Sequence, residues 1–116
     1  MKTNILDVVG ALLGTPLYKG ILPDSPDDCL ALFEYAAQPP TPLFSGTREY
    51  YGVQVRARSA SPARAYAAAR AAYGSLHRYT DGRLSCLSAS SILDLGQDAQ
   101  KRQEYVVNFL IRRYGR

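Results

Sequence analysis

Apolar residues recur along this chain in two rhythms, and each change of rhythm marks an element. Over residues 3–14, Ile5, Leu6, Val9, Leu12 and Leu13 fall at helical spacing and make one stripe. That predicts a helix with one face to bury, most simply on a sheet. Thr3 or Asn4 can cap its start, and Gly14 followed by Thr-Pro ends it. Tyr18 to Leu22 reads as a short extended piece. PDSPDD, with two prolines and three aspartates, reads as a turn. Cys29 to Ala36 then alternates with period two, with Cys29, Ala31, Phe33 and Tyr35 on one face and Leu30, Leu32 and Glu34 on the other. Both faces are largely apolar, which predicts a strand that is central or covered on both sides.

Residues 37–49 break the pattern. Three prolines within four residues exclude a regular element and favour an extended, projecting loop. Leu43 and Phe44 sit near its tip, where an apolar pair either folds back on its own domain or reaches a neighbouring molecule. From Tyr50 to Ser59 the alternation is clean. Tyr51, Val53, Val55 and Ala57 face one way, while Tyr50, Gln54, Arg56 and Arg58 face the other. This is the signature of an antiparallel sheet open on one side. Ser61-Pro62 then opens a helix over 62–76, with Ser at the cap and Pro at the first helical position. Tyr66, Ala69, Tyr73 and Leu76 form its expected packing stripe. Leu84 to Ser90 is a weaker strand, ILDLGQDAQKR a turn or connection, and Gln103 to Tyr114 a strong strand rich in β-branched and aromatic residues. The order α–(β)–β–long loop–β–α–β–β gives an α+β fold: an antiparallel β-sheet with helices packed on one face.

At 116 residues, 1–116 is expected to form a single domain. No apolar run approaches the ~20 residues that cross a bilayer, so no membrane role is expected. The N-terminal stretch carries Asp7 inside its apolar region and reads as a helix of the mature protein. The net charge of +4 permits contact with nucleic acid without requiring it. Cys29 and Cys86 lie in separate apolar segments with no CxxC, and are expected as buried thiols in a protein folded in a reducing cytoplasm. His77 has no second histidine to complete a metal set, and no GxSxG, HExxH or phosphate-binding loop is present. At the end of a helix, His77 is better placed to cap than to act as a general base. No catalytic residue, metal or cofactor is therefore expected.

Several ordered pieces carry a resemblance. Asp28-Cys29-Leu30 leads into Leu32-Phe33-Glu34-Tyr35 and then Gln38-Pro39-Pro40. Gly52-Val53-Gln54-Val55 runs into Arg58-Ser59. A helix from Pro62 carries Ala65, Ala69 and Tyr73, and the last strand reads Glu104-Tyr105-Val106-Val107-Asn108-Phe109. Over roughly Pro23 to Tyr114 this resembles a family of small tailed-bacteriophage structural proteins, the minor capsid proteins related to tail terminators. The resemblance implies a virion protein at the head–tail interface that assembles with itself into a ring, commonly a hexamer. Its other implied partners are the tail tube protein, the head connector or head-completion protein, and double-stranded DNA that passes through without being read.

In such a ring Arg56 and Arg58 can pair with a neighbour's acidic turn at Asp24, Asp27 and Asp28, can line the lumen, or can remain solvated. The alternative is a small basic nucleic-acid-binding module, since strand faces that interleave aromatic and basic residues stack single-stranded bases. Against it, Tyr51 belongs to the apolar face and no sequence signature of such a module is present.

Overall fold

The computed structural model describes residues 4–43 and 46–115. Helix α1 (Ile5–Leu13) is followed by strands β1 (Tyr18–Lys19), β2 (Cys29–Tyr35), β3 (Thr41–Leu43) and β4 (Gly46–Ser59). Helix α2 (Pro62–Leu76) and strands β5 (Leu84–Ser88), β6 (Leu93–Gln97) and β7 (Gln103–Gly115) complete the chain. The seven strands form one mixed sheet in the order β1-β2-β4-β7-β5, with β3 also on β4 and β6 also on β7. Among the described residues only β1 runs parallel to its neighbour; every other strand pairing is antiparallel.

The spine is the β4–β7 ribbon, paired without interruption from Thr47↔Gly115 to Ser59↔Gln103. At about 3.4 Å per residue it runs for roughly 40 Å, and it sets the long axis of a molecule measuring 51 × 25 × 23 Å. Alternation along the two strands then decides everything else. Val53, Val55, Val107, Phe109 and Ile111 turn to one face, where Leu32 and Cys86 flank them and both helices cover them. All seven are buried. Full burial of a side chain such as Phe109 is worth about 1.5–3 kcal/mol.

The helices follow the sequence logic closely. The Asn4 carboxamide oxygen accepts from the Leu6 N–H at 2.8 Å, and Gly14 closes α1 in the left-handed conformation that favours glycine. Thr3, the other candidate cap, lies outside the described residues. Ser61 caps α2, with its Oγ accepting from the Arg64 N–H. The packing stripe of α2 is Ala65, Ala69, Ala72 and Leu76, shifted from the expected one. Tyr66 stays half exposed, edge-on to Tyr105 at 5.4 Å, because alanines alone allow the helix to lie close on the sheet. Neither helix is long and apolar enough to cross a membrane.

Two elements differ from expectation. Residues 37–49 are not loop throughout: Thr41–Leu43 pairs with Arg48 to Gly46, and β4 begins at Gly46. Pro42 is tolerated because β3 is an edge strand with one partner. Leu93–Gln97, read as a turn or connection, is a strand that borrows the exposed edge of β7 and carries a bulge between Asp94 and Gly96. Strand β2, expected to be central or covered on both sides, lies between β1 and β4. Its outer neighbour is the two-residue β1, and the cause of its second covered face is given below.

Candidate functional site

The sheet face away from the helices carries the residues of interest. Phe33 and Tyr35 from β2, Arg48, Tyr50, Gly52, Gln54, Arg56 and Arg58 from β4, and their partners on β7 share it by register. No helix covers it, and its two ends are built differently.

At the β4 C-terminal end the chain makes its own lid. The turn over residues 23–28, which includes a cis Ser25–Pro26 peptide bond, folds across this face. Arg58 is 4% exposed. Its guanidinium donates to the carbonyl oxygens of Pro23 at 2.6 Å, Pro26 at 2.7 Å and Asp27 at 3.2 Å. Arg102, 5% exposed, pins the same turn from the other side. It donates to the Asp24 carbonyl oxygen and pairs with the carboxylates of Asp24 (3.2 Å), Asp27 (3.3 Å) and Asp98 (2.8 Å). Backbone N–H donation from Arg102, reinforced by its guanidinium, holds the Asp98 carboxyl below its ordinary 3.8. Asp28 is held low chiefly by the Ser59 hydroxyl at 2.6 Å, with Arg64 at 3.3 Å beside it. The lid buries Cys29 and Ala31 and so explains the two apolar faces of β2.

Midway along the ribbon, Tyr35 lies flat across β4. Its hydroxyl donates to the Phe109 carbonyl oxygen of β7 at 3.1 Å, and its ring occupies the space above Gly52. A Cβ on residue 52 would stand 2.3 Å from that ring, so glycine is required here for close approach. Phe33, Tyr35, Gln54, Ala89 and Asn108 surround a shallow depression of about 440 Å³. Gln54 donates to Asn108 at its floor at 3.1 Å.

At the other end, β3, the start of β4 and the end of β7 form an arm whose open face no described residue covers as a lid. The Arg48 guanidinium lies 5.2 Å from the centre of the Tyr114 ring. The Tyr50 hydroxyl is acidified by hydrogen bonding with Thr41 and Arg48. Arg112 is the cross-strand partner of Tyr50. Neither Arg48 nor Arg112 has a carboxylate partner among the described residues, and the Arg48 Nε is buried with no acceptor.

The expected site residues are thus divided. Arg58 and the aspartates of the turn do come together, but within one chain, and Arg58 binds carbonyl oxygens instead of carboxylates. This revises the expectation that Arg58 reaches a neighbour, since the side chain is buried and its Nε and one terminal nitrogen donate to carbonyls of its own chain. Asp24 and Asp27 pair with Arg102, and Asp28 with Arg64. Arg56 leans over Phe33 and stands 3.8 Å from Glu104. Leu43 is 37% exposed on the open face of the arm, and Phe44 lies outside the described residues. Sequence reasoning missed Arg102, Arg48 and Arg112. For Arg102 the only available signal was three aspartates in one turn needing a cation.

His77 caps α2, stacks on Tyr73 at 4.8 Å and accepts the Ser88 N–H at its Nδ1. It is occupied structurally. The two cysteines are buried free thiols on opposite faces, and burial pushes Cys86 up to about 12.

A face of mixed aromatic, apolar and cationic residues is the geometry of an assembly surface. The family model described as bacteriophage tail terminator protein matches residues 4–114, nearly the whole chain. This chain belongs to the tail terminator family. It is a structural protein of phage-like virions. Among solved structures, a chain of the "Virion of native gene transfer agent (GTA) particle" shares its fold at a TM-score of 0.66 and 22% identity. That match covers 93% of this chain and 85% of the other. No curated protein sequence matches. For a tail terminator, the sheet face without helices is the surface to explain.

Proposed function

We propose that this terminator subunit assembles with copies of itself into a ring, of six subunits by analogy with its family, at the head-proximal end of a tail. There it stops growth of the tail tube and offers a platform to the head connector, while double-stranded DNA passes through the lumen without being read. One observation carries the reading. The helices cover a single face of the sheet, and the other leaves Tyr35, Leu43, Leu87, Leu93 and Tyr114 exposed along its length. A monomer seldom leaves so extended an aromatic and apolar surface bare, and subunit association buries it.

Molar mass by light scattering over a range of concentrations, with negative-stain images of the same sample, tests this. Closed rings with a central hole are the expected result, either from the free protein or after addition of tail tubes. A chain that stays monomeric and leaves tubes uncapped would overturn the reading. The Arg48–Tyr50–Arg112–Tyr114 cluster favours one second reading, contact with nucleic acid through that cluster. It requires binding to a random oligonucleotide that weakens steeply with salt.

A further inference from the structure

The two ends of the open face differ in charge as well as in cover. Among the described residues the arm presents Arg48 and Arg112 without carboxylate partners, beside exposed Leu43 and Tyr114. At the opposite end of the 51 Å axis the turn presents Asp24 and Asp27, with side chains 80% and 62% exposed. Ile21, 57% exposed, stands just before it. Arg58 and Arg102 hold this turn from behind, so its outward carboxylates are fixed in place before any partner arrives. The arm presents cations with apolar neighbours, and the turn presents exposed carboxylates with an apolar neighbour, whose charge Arg102 behind them shares. Because the ends lie about 40 Å apart along the ribbon, one molecule cannot join its own.

We propose that the open face of the arm docks on the acidic turn of a second copy, Arg48 and Arg112 of one subunit facing Asp24 and Asp27 of the next. This rests on the ring reading and gives it a contact. The contact is heterologous, head to tail, which is the kind that closes into rings. Arg48 bonds to the Tyr50 and Tyr114 hydroxyls, and its Nε, like that of Arg56, is buried with no acceptor among the described residues.

Two variants read together test it. An arm variant carries Arg48→Glu and Arg112→Glu; a turn variant carries Asp24→Lys and Asp27→Lys. Each alone is expected to lose assembly. Mixed in equal amounts they are expected to regain it, because the reversed arm of one meets the reversed turn of the other, while the native arm and turn still match. As the turn aspartates also pair with Arg102, Asp24→Asn with Asp27→Asn is the companion variant. It keeps hydrogen-bonding groups and is expected to stay folded by circular dichroism while associating at least tenfold more weakly. If the wild type assembles and the single variants do so equally well, the arm–turn contact is overturned and the ring stands. If neither wild type nor mixture ever associates, both fall. Arm variants that assemble normally but lose duplex-DNA binding would give the arginines to nucleic acid and also overturn the contact.

Discussion

The two ends of one sheet face, made from the same two strands, meet solvent in opposite ways. At the Arg58 end the chain folds its own turn over the face and satisfies two nearly buried guanidinium groups with carbonyls and carboxylates. At the Arg48 end nothing among the described residues covers the face, and the arginines rest on tyrosines instead of acids. An arginine close in sequence and identical in alternation can therefore be internal architecture or available surface. What separates the two is whether the chain has spare backbone carbonyls and carboxylates to spend on it.

Replacing Arg58 with Ala should show the sharpest contrast. It strands three carbonyl acceptors beneath the lid, and should cost on the order of 3 kcal/mol in denaturant unfolding. Arg48→Ala should leave the unfolding midpoint nearly unchanged, and equal losses at both positions would erase the distinction. Between the ends, Gly52→Ala should cost about 1–3 kcal/mol, because the Tyr35 ring must move and release the Phe109 carbonyl. Thermal melts of Gly52→Ala with and without Tyr35→Ala should show the cost shrink once the ring is gone.

Acid should loosen the lid before the arm. Asp28 and Asp98 sit below their ordinary 3.8 in the folded chain, so the stability they contribute is complete above that value. It is lost only as the pH falls through their depressed values. Hydrogen exchange around residues 23–28 should be flat from neutral pH down to about 5, after correction for intrinsic rates, and should rise below about 4. Smallest in stability, though decisive for assembly, Leu43→Ser with Phe44→Ser should leave the melting temperature of the monomer unchanged and weaken self-association. Normal association would remove the arm tip from the contact.

The period-two segments and both helices were legible because burial of one face imposes its rhythm on the residues. Val53, Val55, Val107 and Phe109 announced the covered face before any coordinates. Strands β3 and β6 were hidden for a shared reason. Prolines at 39, 40 and 42 and the Asp-Leu-Gly-Gln run at 94–97 have poor intrinsic strand character, and they are extended only because the long β4 and β7 offer them an edge. The open face was legible as a face, yet its division was not. Alternation places Arg56 and Arg58 together, but only the tertiary path of residues 23–28 decides that Arg58 is sealed. Arg102 was opaque for the same reason: its partners Asp24 and Asp27 lie more than seventy residues away.

The unbroken register of β4 on β7 has a mechanical meaning. Its hydrogen bonds run across the strands, and the arm and the acidic turn lie at opposite ends of the ribbon. Tension carried from one end to the other is parallel to the strands, so it runs along the β4 and β7 backbones and any load on the rungs is shear shared among them. A hairpin pulled apart at its mouth yields one rung at a time, and a pull along this ribbon opens no such mouth. A subunit held by its two ends would therefore resist stretching with its most continuous element, as a tether is strongest along its fibres.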